Sequence, residues 1–324
     1  MTAKLQEAIE LYEKAARVYE EGTNQTKWAA TQNNLGNAYE DLPTGDRAEN
    51  AKKAIAAYQA ALRIHTEKDF PTDWALTQNN LGVAYWHLPR GDRVENVKKA
   101  IAAYQATLRV HTEKDFPADW AATQNNLGTA YTDLPTGDHA ENMKNAIAAY
   151  QAALRVYTEK DFPSNWAGIH INLGRAYRGL STGNRDENVK RAIAAYEAAL
   201  RIYTEKDFPM GWALTQNNLG NAYRDLPTGD RAENVKRAIA AYQAALRVRT
   251  ERDSPTDWAT TQYNLGLAYA DVTGGNRREN LQNAKVCLEA CLRVYSENAF
   301  PENYRNIAAT LADVERQLRN LTSE

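Results

Sequence analysis

The sequence predicts an all-α chain of stacked helix pairs, an alpha-alpha superhelix of about fourteen helices, and three observations predict it. Trp28, Trp74, Trp120, Trp166, Trp212 and Trp258 recur at a constant step of 46 residues, and Tyr304 takes the next place in the series. A fixed period of this size marks a repeat array. Within each period two stretches carry apolar residues three and four apart, the spacing of one helix face, and in most periods they are separated by proline and Gly-Asp punctuation at fixed offsets. No single repeat can bury its own apolar face, so neighbours cover one another and residues 1–324 are expected to form one elongated unit.

Taken in order, residues 1–27 match the second half of a repeat. Ala8, Tyr12 and Ala16 stand at or near the places of Ala54, Tyr58 and Ala61, and Gly22 ends the helix. Six full repeats follow over residues 28–301, and residues 302–324 supply a closing helix of the first type. In a typical repeat, Trp74, Gln78, Leu81, Tyr85 and Leu88 mark one face of the first helix, and Pro71 sits where a first-turn proline is tolerated. Leu88-Pro89-Arg90-Gly91 ends that helix. Asp92 followed by Glu95 resembles a capping box and starts the second helix, as do Asp46/Glu49, Asp138/Glu141 and Asp230/Glu233. Val97, Ala100, Ile101, Tyr104 and Leu108 form its inner face, with alanine where helices approach closely. Thr112 to Pro117 then turns the chain into the next repeat.

The bulk composition narrows the function classes. The chain is 43% apolar and 25% charged, with a formal net charge of −2 and both signs interspersed. It therefore lacks the basic stripe that phosphate-backbone binding needs, and nucleic acid is not an expected partner. No run approaches the roughly 18 apolar residues of a membrane span, and the first twenty residues alternate charge and apolarity unlike a secretory leader, so a cytoplasmic location is expected. Cys287 and Cys291 replace Ala241 and Ala245 in repeat register and read as buried free thiols, since two cysteines four apart on one helix make poor disulfide geometry.

Asn80-Leu81-Gly82-x-Ala84-Tyr85, followed by Ala100, Tyr104 and the alanine-like position at Thr107, resembles the tetratricopeptide repeat (TPR) over essentially the whole chain. The family unit is about 34 residues; here both links are longer, and the tryptophan sits earlier on an extended first helix. Repeats of this length look similar to bacterial TPR arrays found beside caspase-like (CHAT) or nucleotide-binding signalling domains, and none of those effector domains is recognisable in these residues. The resemblance implies a TPR-like solenoid whose first helices line a concave groove.

Carried over position by position, the groove columns are Asn33, Asn79, Asn125, Ile171, Asn217 and Tyr263, and beside them Asn34, Asn80, Asn126, Asn172, Asn218 and Asn264. Further along the same face come Asn37, Val83, Thr129, Arg175, Asn221 and Leu267, then Glu40, Trp86, Thr132, Arg178, Arg224 and Ala270. An amide ladder suits the backbone of an extended peptide or a ligand helix; equally, the Asn34 column suits bonds between neighbouring helices. The fourth repeat departs most, with Ile169, His170 and Ile171 in place of Thr-Gln-Asn and with Arg175 and Arg178 entering. With Arg224 they form a cationic patch able to grip a carboxylate, unless Asp225 and neighbouring acids neutralise it. Trp86, out of register with the other tryptophans, is expected to be exposed to the groove as an anchor beside His87. The expected ligand-binding residues are therefore Asn33, Asn79, Trp86, Asn125, Arg175, Arg178, Asn217, Asn221 and Arg224. Family members that clamp a chaperone C-terminus use lysine in the Asn33-type column, and this chain has none there.

No catalytic constellation stands out. The Thr44-Gly45-Asp46 turns and their copies carry one glycine each and read as helix-helix turns. His65 and His111 share a column with Tyr157, Tyr203, Arg249 and Tyr295, a mixture expected of a partly exposed edge and not of a metal site. His87, His139 and His170 have no ligand-spaced neighbours, and the carboxylates are accounted for by caps and exposed faces. The sequence thus points to a non-enzymatic, cofactor-free interaction scaffold that binds a peptide segment or partner domain. A monomer is expected; the alternative is a self-assembling solenoid stacked head to tail, or a regulatory region of a larger signalling protein.

Overall fold

The computed structural model of the chain describes residues 2–19, 22, 24–88 and 91–321. Among these residues all regular structure is helical: α1 (Thr2–Tyr19), α2 (Gln25–Glu40), α3 (Arg47–Ala61), α4 (Pro71–His87), α5 (Arg93–Thr107), α6 (Pro117–Thr132), α7 (His139–Ala153), α8 (Pro163–Gly179), α9 (Arg185–Ala199), α10 (Pro209–Asp225), α11 (Arg231–Leu246), α12 (Pro255–Asp271), α13 (Arg277–Leu292) and α14 (Pro301–Asn320). The helices pack in consecutive pairs, the TPR-like arrangement that the repeat pattern predicts. The chain divides into two compact units, Met1–Asp161 and Phe162–Glu324.

Helix starts follow two chemistries. From α4 onward the first helices open on proline, whose missing N–H is one that a first helical turn cannot satisfy anyway. The second helices open on a side-chain cap. Asp46 accepts from Ala48 N–H at 2.8 Å and Asp92 from Glu95 N–H at 3.2 Å. Asn184 and Asn276 do the same for α9 and α13, two caps that the Asp-x-x-Glu pattern does not reveal. The glycine before each cap has positive φ, +86° at Gly45 and +91° at Gly91, where a side chain would be strained. A second device holds the turn: Asn50 Nδ2 donates to the Thr44 carbonyl at 2.9 Å, and Asn142, Asn188 and Asn234 repeat the bond at the same length.

Within a pair the contact is made by small residues on the first helix and a tyrosine on the second. Ala29 and its register mates through Ala259 are wholly buried, as are Tyr58, Tyr104, Tyr150, Tyr196 and Tyr242. Each tyrosine ring packs against a helix glycine: a methyl placed on Gly36 would lie 2.5 Å from Tyr58 Cε1, and one on Gly82 2.6 Å from Tyr104 Cε1. Glycine is required there by the ring, not by backbone conformation. The register tryptophans are buried, and an arginine guanidinium covers each outer face, as Arg109 does Trp74 at 5.1 Å and Arg247 does Trp212 at 4.9 Å. Arg109 also forms a two-pronged ion pair with Glu67 at 2.8 and 2.7 Å, which holds Glu67 below the usual carboxylate range.

Five of the six positions of the mixed column are buried and Tyr203 is half-buried, so the column is not an edge. His65 and His111 are each 3% exposed and Arg249 is 4% exposed, correcting the expectation of partial exposure. The links after α3 and α5 fold a ring over the column: Phe70 lies 5.7 Å from His65 and Phe116 4.8 Å from His111, centroid to centroid. Burial pushes both imidazoles below their ordinary pKa, against the opposing pull of Asp73 and Asp119. Cys287 and Cys291 are buried free thiols, as the sequence predicts.

Candidate functional site: the first-helix walls

In the first unit the wall is formed by α2, α4 and α6, and three of its amides, Asn33, Asn37 and Asn80, are bonded together. Asn33 is buried, and its Oδ1 accepts from Asn80 Nδ2 at 3.4 Å. The same Asn80 amide reaches Asn37 Oδ1 at 3.1 Å, which also accepts the Tyr58 hydroxyl at 2.7 Å. Asn79 Oδ1 accepts from Thr123 at 3.3 Å, and the half-buried Asn125 gives its carbonyl to Thr129 at 3.1 Å. At Asn80, therefore, the amide column bonds one repeat to the previous one.

Trp86 departs from its expected exposure. Its indole is half-buried beside Val97 and Leu127, its N–H donates to Asp133 Oδ2 at 3.0 Å, and the Arg93 guanidinium stands 5.8 Å from its ring. The partner Asp133 belongs to the next repeat. The adjacent His87 Nδ1 lies 2.5 Å from Glu40 Oε1 of the preceding repeat, a link that spacing alone does not reveal. Beside it a recess of about 320 Å³ is lined by Asn37, Glu40, Asp41, Tyr58, Asn80 and Val83.

In the second unit α8, α10, α12 and α14 form the corresponding wall. Asn217 is buried and accepts from Asn264 Nδ2 at 3.1 Å; Asn221 Oδ1 accepts the Tyr242 hydroxyl at 2.9 Å. Two of the three arginines are held by the next repeat. Arg178 Nε lies 3.2 Å from Asp225 Oδ2, which Arg185 shares at 3.3 Å. Arg224 Nε lies 3.4 Å from Asp271 Oδ2, shared with Arg231 at 3.2 Å.

Arg175 is different. It is exposed and makes no ion pair with any described residue. It occupies the place from which Asn37, Thr129 and Asn221 accept a tyrosine hydroxyl in other repeats. A guanidinium cannot accept, so Tyr196, wholly buried, has a hydroxyl with no hydrogen-bond partner. Burial raises the Tyr196 pKa, and the charges of Arg178 and Arg175 oppose that rise. The fourth repeat therefore presents an unpaired cation beside a buried, unsatisfied hydroxyl donor.

Among the described residues, no group of three His, Cys, Asp or Glu side chains converges in a way that would hold a metal ion. No described helix is long and apolar enough to cross a membrane.

The sequence matches no family model and no curated protein. Solved structures share its fold. The chain is similar to BtubC (BKLC) from P. vanneervenii, with a TM-score of 0.54 and 20% identity over 77% of this chain and 89% of that one. It is similar also to the apo form of RapI, with a TM-score of 0.53 and 12% identity over 98% of both chains. At these identities the likeness is one of fold, an array of TPR-like helix pairs.

Proposed function

We propose that the chain is a non-enzymatic protein-interaction scaffold whose first-helix walls hold a peptide segment or a partner domain. The observation that carries this reading is Arg175. A cation with no ion pair to any described residue, placed where packing in three other repeats uses an asparagine or threonine, costs the fold a hydrogen bond at Tyr196 and returns none among the described residues. A carboxylate side chain or chain terminus of a partner, bonded by Arg175, supplies the missing counter-charge. Arg178, Arg224, Asn217 and Asn221 flank it on the same wall. In the first unit Asn33, Asn79, Trp86 and Asn125 lie on a first-helix wall of their own, a separate candidate surface for a partner.

The mechanism is preorganisation. Asn217 and Asn221 are tied to Asn264 and Tyr242, and Arg178 and Arg224 to Asp225 and Asp271. Such a surface loses little side-chain entropy when a ligand arrives. The test is affinity capture from source lysate by the parent chain and by an Arg175→Ala/Arg178→Ala variant, read by mass spectrometry. A protein held by the parent and lost from the variant supports the reading. Identical captured sets remove the arginine wall from it.

A further inference from the structure

The two terminal helices offer opposite surfaces to a further helix. α1 is a helix of the second type: Ile9 packs with Leu35 and Ala38 of α2, and Glu13 Oε1 accepts the Tyr39 hydroxyl at 2.7 Å, as Gln59 meets Tyr85 one repeat later. Its other face is the one that α3, α5, α7, α9 and α11 each bury against their own first helix. On α1 no described residue covers that face in the same way. Leu11 is 56% exposed where Ala57 is 6%, and Val18 is 76% exposed. Ala8, Tyr12 and Ala15 are half-buried where Ala54, Tyr58 and Ala61 are wholly buried.

We propose that this face of α1 is a docking surface for one kind of occupant, a helix that presents alanine and, seven residues on, glycine, as Ala29 and Gly36 or Ala75 and Gly82 do. The argument is continuity with an interface that the chain builds repeatedly. Ala75 lies against α5, where Thr107 Oγ1 donates to the Ala75 carbonyl at 3.1 Å, and Gly82 receives the Tyr104 ring. A helix with both small residues seats Ala15 and Tyr12 in the same way, and covers Leu11 and Val18.

A second copy's α14 is the first-type helix that would meet this face in head-to-tail stacking, and it lacks both features. In register, Arg305 replaces Ala259 and Ala312 replaces Gly266, and both are exposed on α14. Docking would bury a guanidinium at a position that is wholly buried alanine in all six repeats. It would also set a methyl against the Tyr12 ring, where the repeat geometry leaves 2.5 to 2.7 Å. These two residues keep α14 of one copy off α1 of another, so the α1 face selects against its own chain.

The test converts α14 into the occupant. The parent, an Arg305→Ala/Ala312→Gly variant, and that variant with Leu11→Glu added are followed by light scattering over a concentration series. The parent is expected to stay at its monomer mass of 36.3 kDa at all concentrations. The double variant is expected to rise in mass with concentration as open head-to-tail chains, and Leu11→Glu to return it to monomer. A double variant that keeps parental helicity and remains monomeric overturns the proposal, and so does a parent that already assembles. Should the double variant lose helicity, a labelled peptide of residues 71–87 is titrated into the parent. Saturable binding abolished by Leu11→Glu supports the proposal, and no binding up to about millimolar peptide, an affinity of roughly −4 kcal/mol, overturns it.

Discussion

Arg175 stands one helix away from Tyr196 in the place where Asn37 accepts from Tyr58 at 2.7 Å and Asn221 from Tyr242 at 2.9 Å, and the Tyr196 hydroxyl is left without a partner. The fourth repeat gives up a hydrogen bond that its neighbours keep. Arg175→Asn restores the acceptor and should stabilise the chain by about 1 kcal/mol, the usual net worth of a buried hydrogen bond. The urea midpoint measures it. A variant no more stable than the parent would mean that the hydroxyl is satisfied in some other way.

The glycine under each tyrosine ring yields a second prediction. In an open helix Gly→Ala gains about 1 kcal/mol of helix propensity. At Gly82 the new methyl would lie 2.6 Å from Tyr104 Cε1, and overpacking of that kind costs roughly 1–3 kcal/mol. The net effect of Gly82→Ala should be destabilising. Adding Tyr104→Leu should recover part of the loss, because at Gly266 the facing residue is Leu288 and the nearest approach is 3.2 Å. Equilibrium unfolding of the four-member cycle checks the coupling; strict additivity would contradict the proposed contact.

His65 and His111 predict the pH response of the first unit. Both are held below their ordinary pKa by burial, so the unfolded chain binds their protons at a higher pH than the folded chain does. Stability is therefore fully present above the unfolded value of about 6.5 and is lost as pH falls below it. Asp73 and Asp119 reduce the effect without reversing its direction. Replacing both histidines by tyrosine, the residue found in register at Tyr157 and Tyr295, should flatten the fall in melting temperature between about pH 7 and pH 5. An equal fall in parent and variant would assign the acid sensitivity to other groups.

The fold was legible where one residue type alone meets a local demand. The tryptophan step, the first-turn prolines and the Asp-x-x-Glu caps each state a helix and its start, and the structure has them in those places. What stayed hidden depends on partners a repeat away. The indole of Trp86 loses its expected exposure because Asp133 lies 47 residues on. The His65 column is mixed in character, which suggested an edge, but Phe70 folds back from the following link to cover it. Asn184 and Asn276 cap as well as aspartate does, because capping needs only a short side-chain acceptor. At the candidate site, the sequence singled out Arg175 and Arg178 together. Only the geometry separates them, since Asp225 holds Arg178 and no described residue pairs with Arg175.

The two thiols give a simple chemical check. Burial pushes Cys287 up to about 11 and Cys291 up to about 12, so neither is appreciably ionised near neutral pH. A thiol-specific chromogenic disulfide reagent should leave the folded chain unmodified, and denaturant should release reactivity equal to two thiols per chain. Fast labelling of the native protein would show that α13 opens more readily than its packing indicates.

The central claim is that Arg175 holds a partner's carboxylate, and the direct measurement is the dissociation constant of the captured partner for the parent chain and for Arg175→Ala, with folding of both verified. Truncating one side of a desolvated charge pair costs 2 kcal/mol or more, so the dissociation constant should rise by at least about thirtyfold. Affinities equal within about twofold, well under 1 kcal/mol, would contradict the claim and return Arg175 to the solvated surface.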